Sequence, residues 1–124
     1  MKVVSTDKAP AAIGPYSQAI IANGMVFTSG QIALNSKGDI VCDDVAGQTK
    51  QVLANLSEVL KEAGSSLNNV IKTTIFLDSM DDFKMVNEIY AKFFNEHKPA
   101  RSTVAVKTLP LNVKVEIDCI ALVK

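Results

Sequence analysis

The sequence of 124 residues contains few of the side chains that build metal sites or histidine-dependent active sites. It has two cysteines, Cys42 and Cys119, a single histidine, His97, and no tryptophan. The cysteines do not have a metal-ligand spacing, and a reducing compartment would keep both as thiols. One histidine cannot supply a metal site or a histidine triad by itself. We therefore predict no metal site and no histidine triad.

Excess charge and long apolar runs are also absent. Thirteen basic and thirteen acidic residues give a formal net charge of zero, so bulk electrostatics favours neither nucleic acid nor an anionic membrane as a partner. Residues 1–7 lack the apolar stretch of a signal peptide, and no later run approaches the length of a membrane span. The expectation is a cytoplasmic protein that binds neither membranes nor nucleic acid.

The composition that remains is that of an ordinary globular protein, with 48% hydrophobic and 21% charged residues. These proportions exclude extended disorder. A chain of 124 residues can bury a core without disulfides or metals. Because the sequence contains no repeat, linker or low-complexity tract, we predict a single domain that covers residues 1–124.

An Asn23-Gly24 dipeptide predicts a β-hairpin in the first part of the chain. Asparagine and glycine tolerate the positive φ that a two-residue type I′ turn needs, and the strands would cover residues 17–22 and 25–29. A second turn at residues 35–38 separates two shorter apolar runs. Residues 70–77 are rich in β-branched side chains and predict a further strand.

Two stretches have the apolar spacing of amphipathic helices. The first follows Asp43 or Asp44, either of which can cap it, and ends at Gly64. The second follows the capping residues 79–82 and fades near His97, which we interpret as an exposed helix-end residue. The apolar stripes are Val52, Leu53, Leu56, Val59, Leu60 and Ala63 in the first helix, and Phe83, Val86, Tyr90 and Phe93 in the second.

This order of elements predicts an α+β fold, a two-layer sandwich with a mixed sheet of about six strands and both helices on one face. The crossover from residues 70–77 through the second helix to the strand that begins near residue 100 is predicted to be parallel and right-handed. The other face of the sheet mixes apolar and charged residues, which is typical of an oligomer. Cyclic symmetry would place its polar residues in clefts between subunits.

The last two predicted strands carry one arginine and one glutamate of interest. Apolar and polar residues alternate in both, and if Val104 and Val106 face the core, Arg101 and Glu116 share the opposite face of the sheet. A guanidinium matches a carboxylate, and a glutamate can hold a water or accept its proton, so the pair could bind and hydrolyse a small acid. Alternatively, the two residues are solvated charges or pair with each other.

The same C-terminal region resembles the signature of the reactive intermediate deaminase family, RidA. The likeness extends over nearly the whole chain, in the order and with the spacing typical of the family. The matching segments are Ile13-Gly14-Pro15-Tyr16-Ser17-Gln18-Ala19, Thr28-Ser29-Gly30-Gln31, Val86-Asn87-Glu88-Ile89-Tyr90, Pro99-Ala100-Arg101-Ser102-Thr103-Val104, Leu109-Pro110 and Val115-Glu116-Ile117.

The resemblance implies the RidA fold, also called chorismate mutase-like, and a homotrimer with a site at each subunit interface. It implies cofactor-free hydrolysis of 2-imino and enamine acids, such as 2-iminobutanoate and 2-iminopropanoate, to 2-keto acids and ammonia. These substrates are products of pyridoxal phosphate-dependent dehydratases. The resemblance implies two catalytic residues. Arg101 would bind the substrate carboxylate, and Glu116 would position the attacking water.

The resemblance also implies which other residues bind the substrate: Tyr16, Ser29, Gly30, Ser102 and Thr103. The best-known members have cysteine where this chain has Thr103, and its backbone carbonyl is thought to act, so the substitution argues against thiol chemistry. Asn87 lies within the apolar stripe of the second helix, where a polar side chain must find hydrogen bonds. We interpret it as an interface or supporting residue.

Two further functions remain open on the sequence alone. A binding module for 2-keto acids or other small carboxylic acids would use the same Arg101 and Gly30 as a regulator, without turnover. Nuclease or translation-inhibitor activity is attributed to some relatives of the family. The neutral net charge and the absence of a basic stripe are unfavourable to that third function.

Overall fold

The computed structural model describes residues 1–124. Stretches with alternating or helical spacing of apolar residues fold into eight main elements. Two helices and six strands follow one another in the predicted order. The strands are β1 (Lys2–Val4), β2 (Ala19–Ala22), β3 (Met25–Thr28), β4 (Val70–Leu77), β5 (Ala100–Ala105) and β6 (Val115–Leu122), and the helices are α1 (Val45–Glu62) and α2 (Phe83–Phe94).

All six strands form one mixed sheet in the order β1-β2-β3-β6-β4-β5. Neighbours are antiparallel except β4 and β5, which run parallel and are joined through α2. This confirms the parallel crossover and the α+β class with a six-stranded mixed sheet and two helices. The sheet leaves β5 at an edge, with a hydrogen-bonded neighbour on one side only.

Local turn chemistry behaves as the sequence predicts. Asn23 and Gly24 have φ of 52° and 75°, and Ala22 pairs directly with Met25 across a two-residue turn. Asp44 caps α1, since its carboxylate accepts a hydrogen bond of 3.1 Å from the Gly47 amide. The second predicted turn, at residues 35–38, is confirmed: the Gly38 amide donates a hydrogen bond of 3.0 Å to the Asn35 carbonyl, and a single bridge joins Leu34 and Ile40 around it.

Helix α2 ends at Phe94, earlier than predicted, because Asn95 takes a positive φ of 58°. His97 therefore lies beyond the helix and is partly buried, so its interpretation as an exposed helix-end residue is wrong. Its Nε2 donates a hydrogen bond of 2.6 Å to the backbone carbonyl of Val70 at the start of β4. The carbonyl can only accept, so this ring nitrogen carries the proton.

Both helices pack on one face of the sheet around a single hydrophobic core. The apolar stripe of α1 is fully buried there, together with Ile75, Val115 and Ile117 from the central strands. No helix covers the opposite face, which we call the open face. It carries Phe27, Lys72, Thr74, Phe76, Ser102, Val104, Glu116, Asp118, Ile120 and Leu122.

The predicted orientation of the strand that contains Arg101 is wrong. Arg101 is in register with Thr73, which is fully buried under the helices, whereas Val104 is in register with Phe76 on the open face. Glu116 is also in register with Phe76. Within one chain, Arg101 and Glu116 therefore lie on opposite faces of the sheet, because neighbouring residues in register point to the same side.

Candidate functional site

Arg101 projects from the edge strand β5 over one stripe of helix α2. Its Nη1 donates a hydrogen bond of 2.7 Å to Oδ1 of Asn87. Its Cζ lies 5.0 Å from the ring centroid of Tyr90 and 5.6 Å from that of Phe83. Phe83, Asn87 and Tyr90 occupy positions i, i+4 and i+7, so one side of α2 forms the whole cradle. Asn87, the predicted interface or supporting residue, thus accepts a hydrogen bond from the guanidinium.

No carboxylate of the chain neutralises Arg101, which is the only arginine in the sequence. The one ion pair in the structure joins Lys61 and Glu58 on α1. The guanidinium borders a cavity of about 450 Å³. Its lining includes Asn87, Tyr90, Phe94, His97, Lys98 and Arg101. This cavity is basic and has an aromatic floor, features that suit a small organic anion.

Glu116 borders a second cavity, of about 480 Å³, whose lining includes Tyr16, Gln18, Ser29, Gly30, Pro110 and Glu116. Three of the predicted substrate-binding residues, Tyr16, Ser29 and Gly30, thus surround the predicted catalytic carboxylate. Burial, with a smaller contribution from the Asp118 carboxylate, raises the pKa of Glu116 above its ordinary value. A raised pKa is typical of a carboxylate that exchanges protons near neutral pH.

Gly30 allows Glu116 to approach the backbone closely. A Cβ at position 30 would lie 2.8 Å from Cδ of Glu116 and still nearer to one of its carboxylate oxygens. The backbone of Gln31 pairs with Ile117, with bonds of 2.9 Å and 3.1 Å, and so holds this segment against β6. The hydroxyl of Ser29 donates a bond of 2.6 Å to the Ser17 carbonyl and supports the wall of the cavity.

Ser102 and Thr103 line neither cavity. Ser102 is exposed on the open face, where its hydroxyl accepts a hydrogen bond of 2.9 Å from Nζ of Lys72. The Thr103 hydroxyl is buried and is the one buried side-chain polar atom without a hydrogen-bond partner. The structure therefore divides the predicted residues into an Arg101 group, a Glu116 group and these two.

Thr103→Val should raise the free energy of unfolding by about 1 kcal/mol, because valine has the same shape without a buried, unbonded hydroxyl. Chemical denaturation of the wild type and of the variant measures the difference. Thr103→Ser, which keeps the hydroxyl, serves as the matched control and should not be stabilised. A loss of stability in Thr103→Val would show that this hydroxyl has a partner in the assembled protein.

Sequence reasoning missed Gln18, Gln31 and Pro110, which also line the cavity with Glu116. Gln18 is buried, and its amide donates to the carbonyls of Thr6 and Pro10 while its oxygen accepts from the Thr6 amide. These bonds tie the irregular N-terminal segment to the hairpin and form one wall. All three residues belong to the segments that resemble the family, and this membership was the available signal.

No helix of the protein has the length and apolar character needed to cross a membrane. Residues 6–123 match the family model described as endoribonuclease L-PSP. The chain is 57% identical over 121 residues to the chloroplastic Reactive Intermediate Deaminase A of Arabidopsis thaliana, covering 97% of this chain and 65% of that relative. It is 54% identical to the regulator AldR of Lactococcus lactis, covering 100% of this chain and 99% of AldR.

Other relatives have names that refer to small molecules. The 2-iminobutanoate/2-iminopropanoate deaminase of Mus musculus is 50% identical over 121 residues, covering 97% of this chain and 90% of that protein. The crystal structure of E. coli TdcF with bound serine superposes with a TM-score of 0.94 at 42% identity, and the match covers both chains completely. The chain therefore belongs to the reactive intermediate deaminase (RidA) family, as its motifs predicted.

Proposed function

We propose that this protein is a cofactor-free hydrolase that deaminates reactive 2-imino and enamine acids, including 2-iminobutanoate and 2-iminopropanoate. The observation that carries the proposal is the guanidinium of Arg101, held by one amide and two rings and left without a carboxylate of its own. A substrate carboxylate would pair with this guanidinium through charge-assisted hydrogen bonds worth about 1.5–3 kcal/mol each. The names of the Arabidopsis and mouse relatives agree with this substrate class.

The proposed reaction needs only orientation, one water and one carboxylate. A protonated imine carbon is already electrophilic, so positioning supplies much of the catalysis. The oxygen of the water bonds to that carbon while Glu116 accepts a proton from the water. The product of this step is a tetrahedral amino alcohol. Glu116 then returns the proton to the nitrogen. As the carbon–nitrogen bond breaks, Glu116 accepts the proton of the hydroxyl group, ammonia and the 2-keto acid leave, and Glu116 releases that proton to solvent.

The proposed site requires two copies of the chain, since Arg101 and Glu116 lie on opposite faces of one sheet. The open face supports self-association, because it exposes apolar side chains that would stay in contact with water in a monomer. Phe27, Val104 and Leu122 are 39%, 45% and 48% exposed there. We propose a cyclic homotrimer in which Glu116 of one copy faces Arg101 of the next, the number three being that of the resembled family.

A coupled assay tests the proposed function. The purified protein is mixed with a threonine dehydratase, which generates 2-iminobutanoate, and the decay of the imine is followed with and without Arg101→Ala. The wild type should accelerate the decay, and Arg101→Ala should not. A decay rate equal to the spontaneous one, in a wild-type preparation that is folded and oligomeric by light scattering, would contradict the proposal.

A regulator that binds 2-keto acids or other small carboxylic acids without turnover is the second candidate. The relative named as the regulator AldR and the neighbouring structure with bound serine favour it. Calorimetric titration with 2-ketobutyrate separates the two functions. Binding that Arg101→Ala abolishes, together with an unchanged imine lifetime, would identify a regulator. RNA cleavage that is equal in the wild type and in Arg101→Ala would place a nuclease activity elsewhere.

The pH dependence of the deaminase activity should depend on Glu116. The carboxylate acts as a base only when it is ionised, and its pKa is raised. Activity should therefore rise with pH, and the midpoint of this rise should lie above 4.5, the ordinary pKa of glutamate. Asp118→Asn removes the neighbouring negative charge, lowers the pKa of Glu116 and should move that limb to lower pH. Profiles of kcat/KM for the two proteins measure the shift, since any titration of the substrate is common to both.

A further inference from the structure

A hydrogen-bonded pair of hydroxyls lies in the apolar core directly behind Arg101. The Oγ1 of Thr73 and the phenolic oxygen of Tyr90 are 2.7 Å apart, and the two residues are 0% and 7% exposed. Thr73 lies on β4, in register with Arg101 on the adjacent strand. Tyr90 comes from α2, so the pair links the sheet to the helix at the level of the guanidinium.

Packing alone does not explain this pair. A buried hydroxyl loses its hydration and needs a partner, whereas valine and phenylalanine would fill nearly the same volume without that requirement. The hydrogen bond does fix the ring of Tyr90 relative to β4. Phe94 supports the same ring, with the two centroids 4.5 Å apart. The ring face is thus held from two directions.

The held ring is one of the surfaces that position Arg101. The Cζ of Arg101 lies 5.0 Å from the Tyr90 centroid, within the range of a cation–π interaction. Asn87 bonds only one end of the guanidinium, at Nη1. A guanidinium with one hydrogen bond can still swing about it, and contact with a fixed ring removes that freedom.

We propose that Thr73 and Tyr90 are positioning residues that orient the Arg101 guanidinium for a substrate carboxylate. The inference rests on the proposed function, because it assigns the carboxylate of the substrate to Arg101. Neither residue needs to touch the substrate. The hydrogen bond from Thr73 holds the phenol of Tyr90 in place, and the phenol ring in turn restricts the guanidinium. The N–H donors of the guanidinium are therefore already oriented when the substrate carboxylate binds.

Because Arg101 is the only arginine, protein labelled with ¹⁵N-arginine gives a single Nε–H resonance that reports its mobility directly. The order parameter of this group should be near 0.85 in the wild type and fall to about 0.6 or below in Thr73→Val and in Tyr90→Phe. Ile89→Val is the matched control, since Ile89 lies beside Tyr90 on α2 but borders the groove toward α1. An unchanged order parameter in both test variants would overturn the proposal.

Ligand binding gives the second readout. Thr73→Val and Tyr90→Phe should raise the KM for the imino acid and the Kd for 2-ketobutyrate about 5- to 10-fold, with kcat changed less than about twofold. The double variant leaves neither hydroxyl unbonded, so its stability should recover while its KM stays high. A KM that recovers together with stability would reveal a purely structural pair and refute positioning.

The two readouts also separate this inference from the proposed function. If the wild type neither binds 2-ketobutyrate nor shortens the imine lifetime, the proposed function fails. The mobility of the Arg101 Nε–H still decides whether the hydroxyl pair orients the guanidinium. Conversely, an active wild type whose Arg101 order parameter and KM are indifferent to both substitutions refutes the positioning role alone.

Discussion

Mixing equal amounts of Arg101→Ala and Glu116→Ala subunits, each nearly inactive alone, is expected to restore about one quarter of the wild-type deaminase activity. In a cyclic oligomer, every proposed site takes Arg101 from one copy and Glu116 from its neighbour. After random exchange, half of the sites contain an intact arginine, and half of those also contain an intact glutamate. The fraction of one quarter is the same for any closed ring.

The recovery should be large against the background of the single variants. Arg101→Ala removes charge-assisted hydrogen bonds of about 1.5–3 kcal/mol each, so we expect a loss on the order of 100-fold in kcat/KM. Subunits are exchanged by unfolding and refolding them together, and native mass spectrometry confirms the mixed rings. The control combines Arg101→Ala with the double variant Arg101→Ala/Glu116→Ala, which contains no intact arginine and should stay inactive.

A mixture that forms mixed rings yet regains no activity would refute the proposed site between copies. Activity would then require both groups from one chain, which the opposite orientations of Arg101 and Glu116 do not permit without refolding β5 or β6. Recovery well above one quarter would instead indicate that subunits of different type prefer each other. The mass spectra report that preference independently of the activity.

The elements governed by local chemistry could be predicted from the sequence. The hairpin at Asn23-Gly24 follows from the φ that these residues tolerate, and α1 follows from the Asp44 cap and its apolar stripe. The parallel pairing of β4 and β5 follows from the helix between them, since parallel neighbours are joined by a crossover connection that is usually a helix. Each of these predictions depends on residues that are close in sequence or on the kind of connection between two strands.

The orientation of β5 could not be predicted in the same way. In a central strand the buried face collects the apolar residues, so alternation shows which side is inside. At the edge, the side of β5 toward α2 meets Asn87 rather than core, and it is polar at Arg101. The alternating valine, Val104, lies on the open face instead. In this strand, alternation identifies two faces but not which one the helices cover.

The two proposed catalytic residues were identified from family motifs, but their positions on opposite faces of the sheet were not predicted. Their separation within one chain becomes visible only when β5 and β6 are placed on either side of β4. The cradle of Phe83, Asn87 and Tyr90 has the spacing of one helix face, so the sequence does contain that part of the site. Its target, Arg101, belongs to another element, and no local pattern connects the two.

Gly30→Ala should lower kcat about 100-fold while leaving the protein nearly as stable as the wild type. The backbone of Gly30 is outside the left-handed region, so alanine adds no strain of its own. Its Cβ would overlap the carboxylate of Glu116, which is the flexible end of a side chain and can move aside at little cost in stability. A displacement of the reacting group by about 1 Å is enough to cost 10²-fold in rate.

The opposite pattern is expected at Gly38, which provides the matched control. Gly38 has a φ of 85° and nothing within 4 Å of an added Cβ, so Gly38→Ala should lose stability through strain and keep its activity. The link to Glu116 is tested by a double-mutant cycle with Glu116→Gln. If the added methyl acts by displacing the carboxylate, Gly30→Ala/Glu116→Gln should be no less active than Glu116→Gln alone. Independent, multiplying losses would mean that Gly30 serves the reaction in another way, such as donating its amide to the substrate.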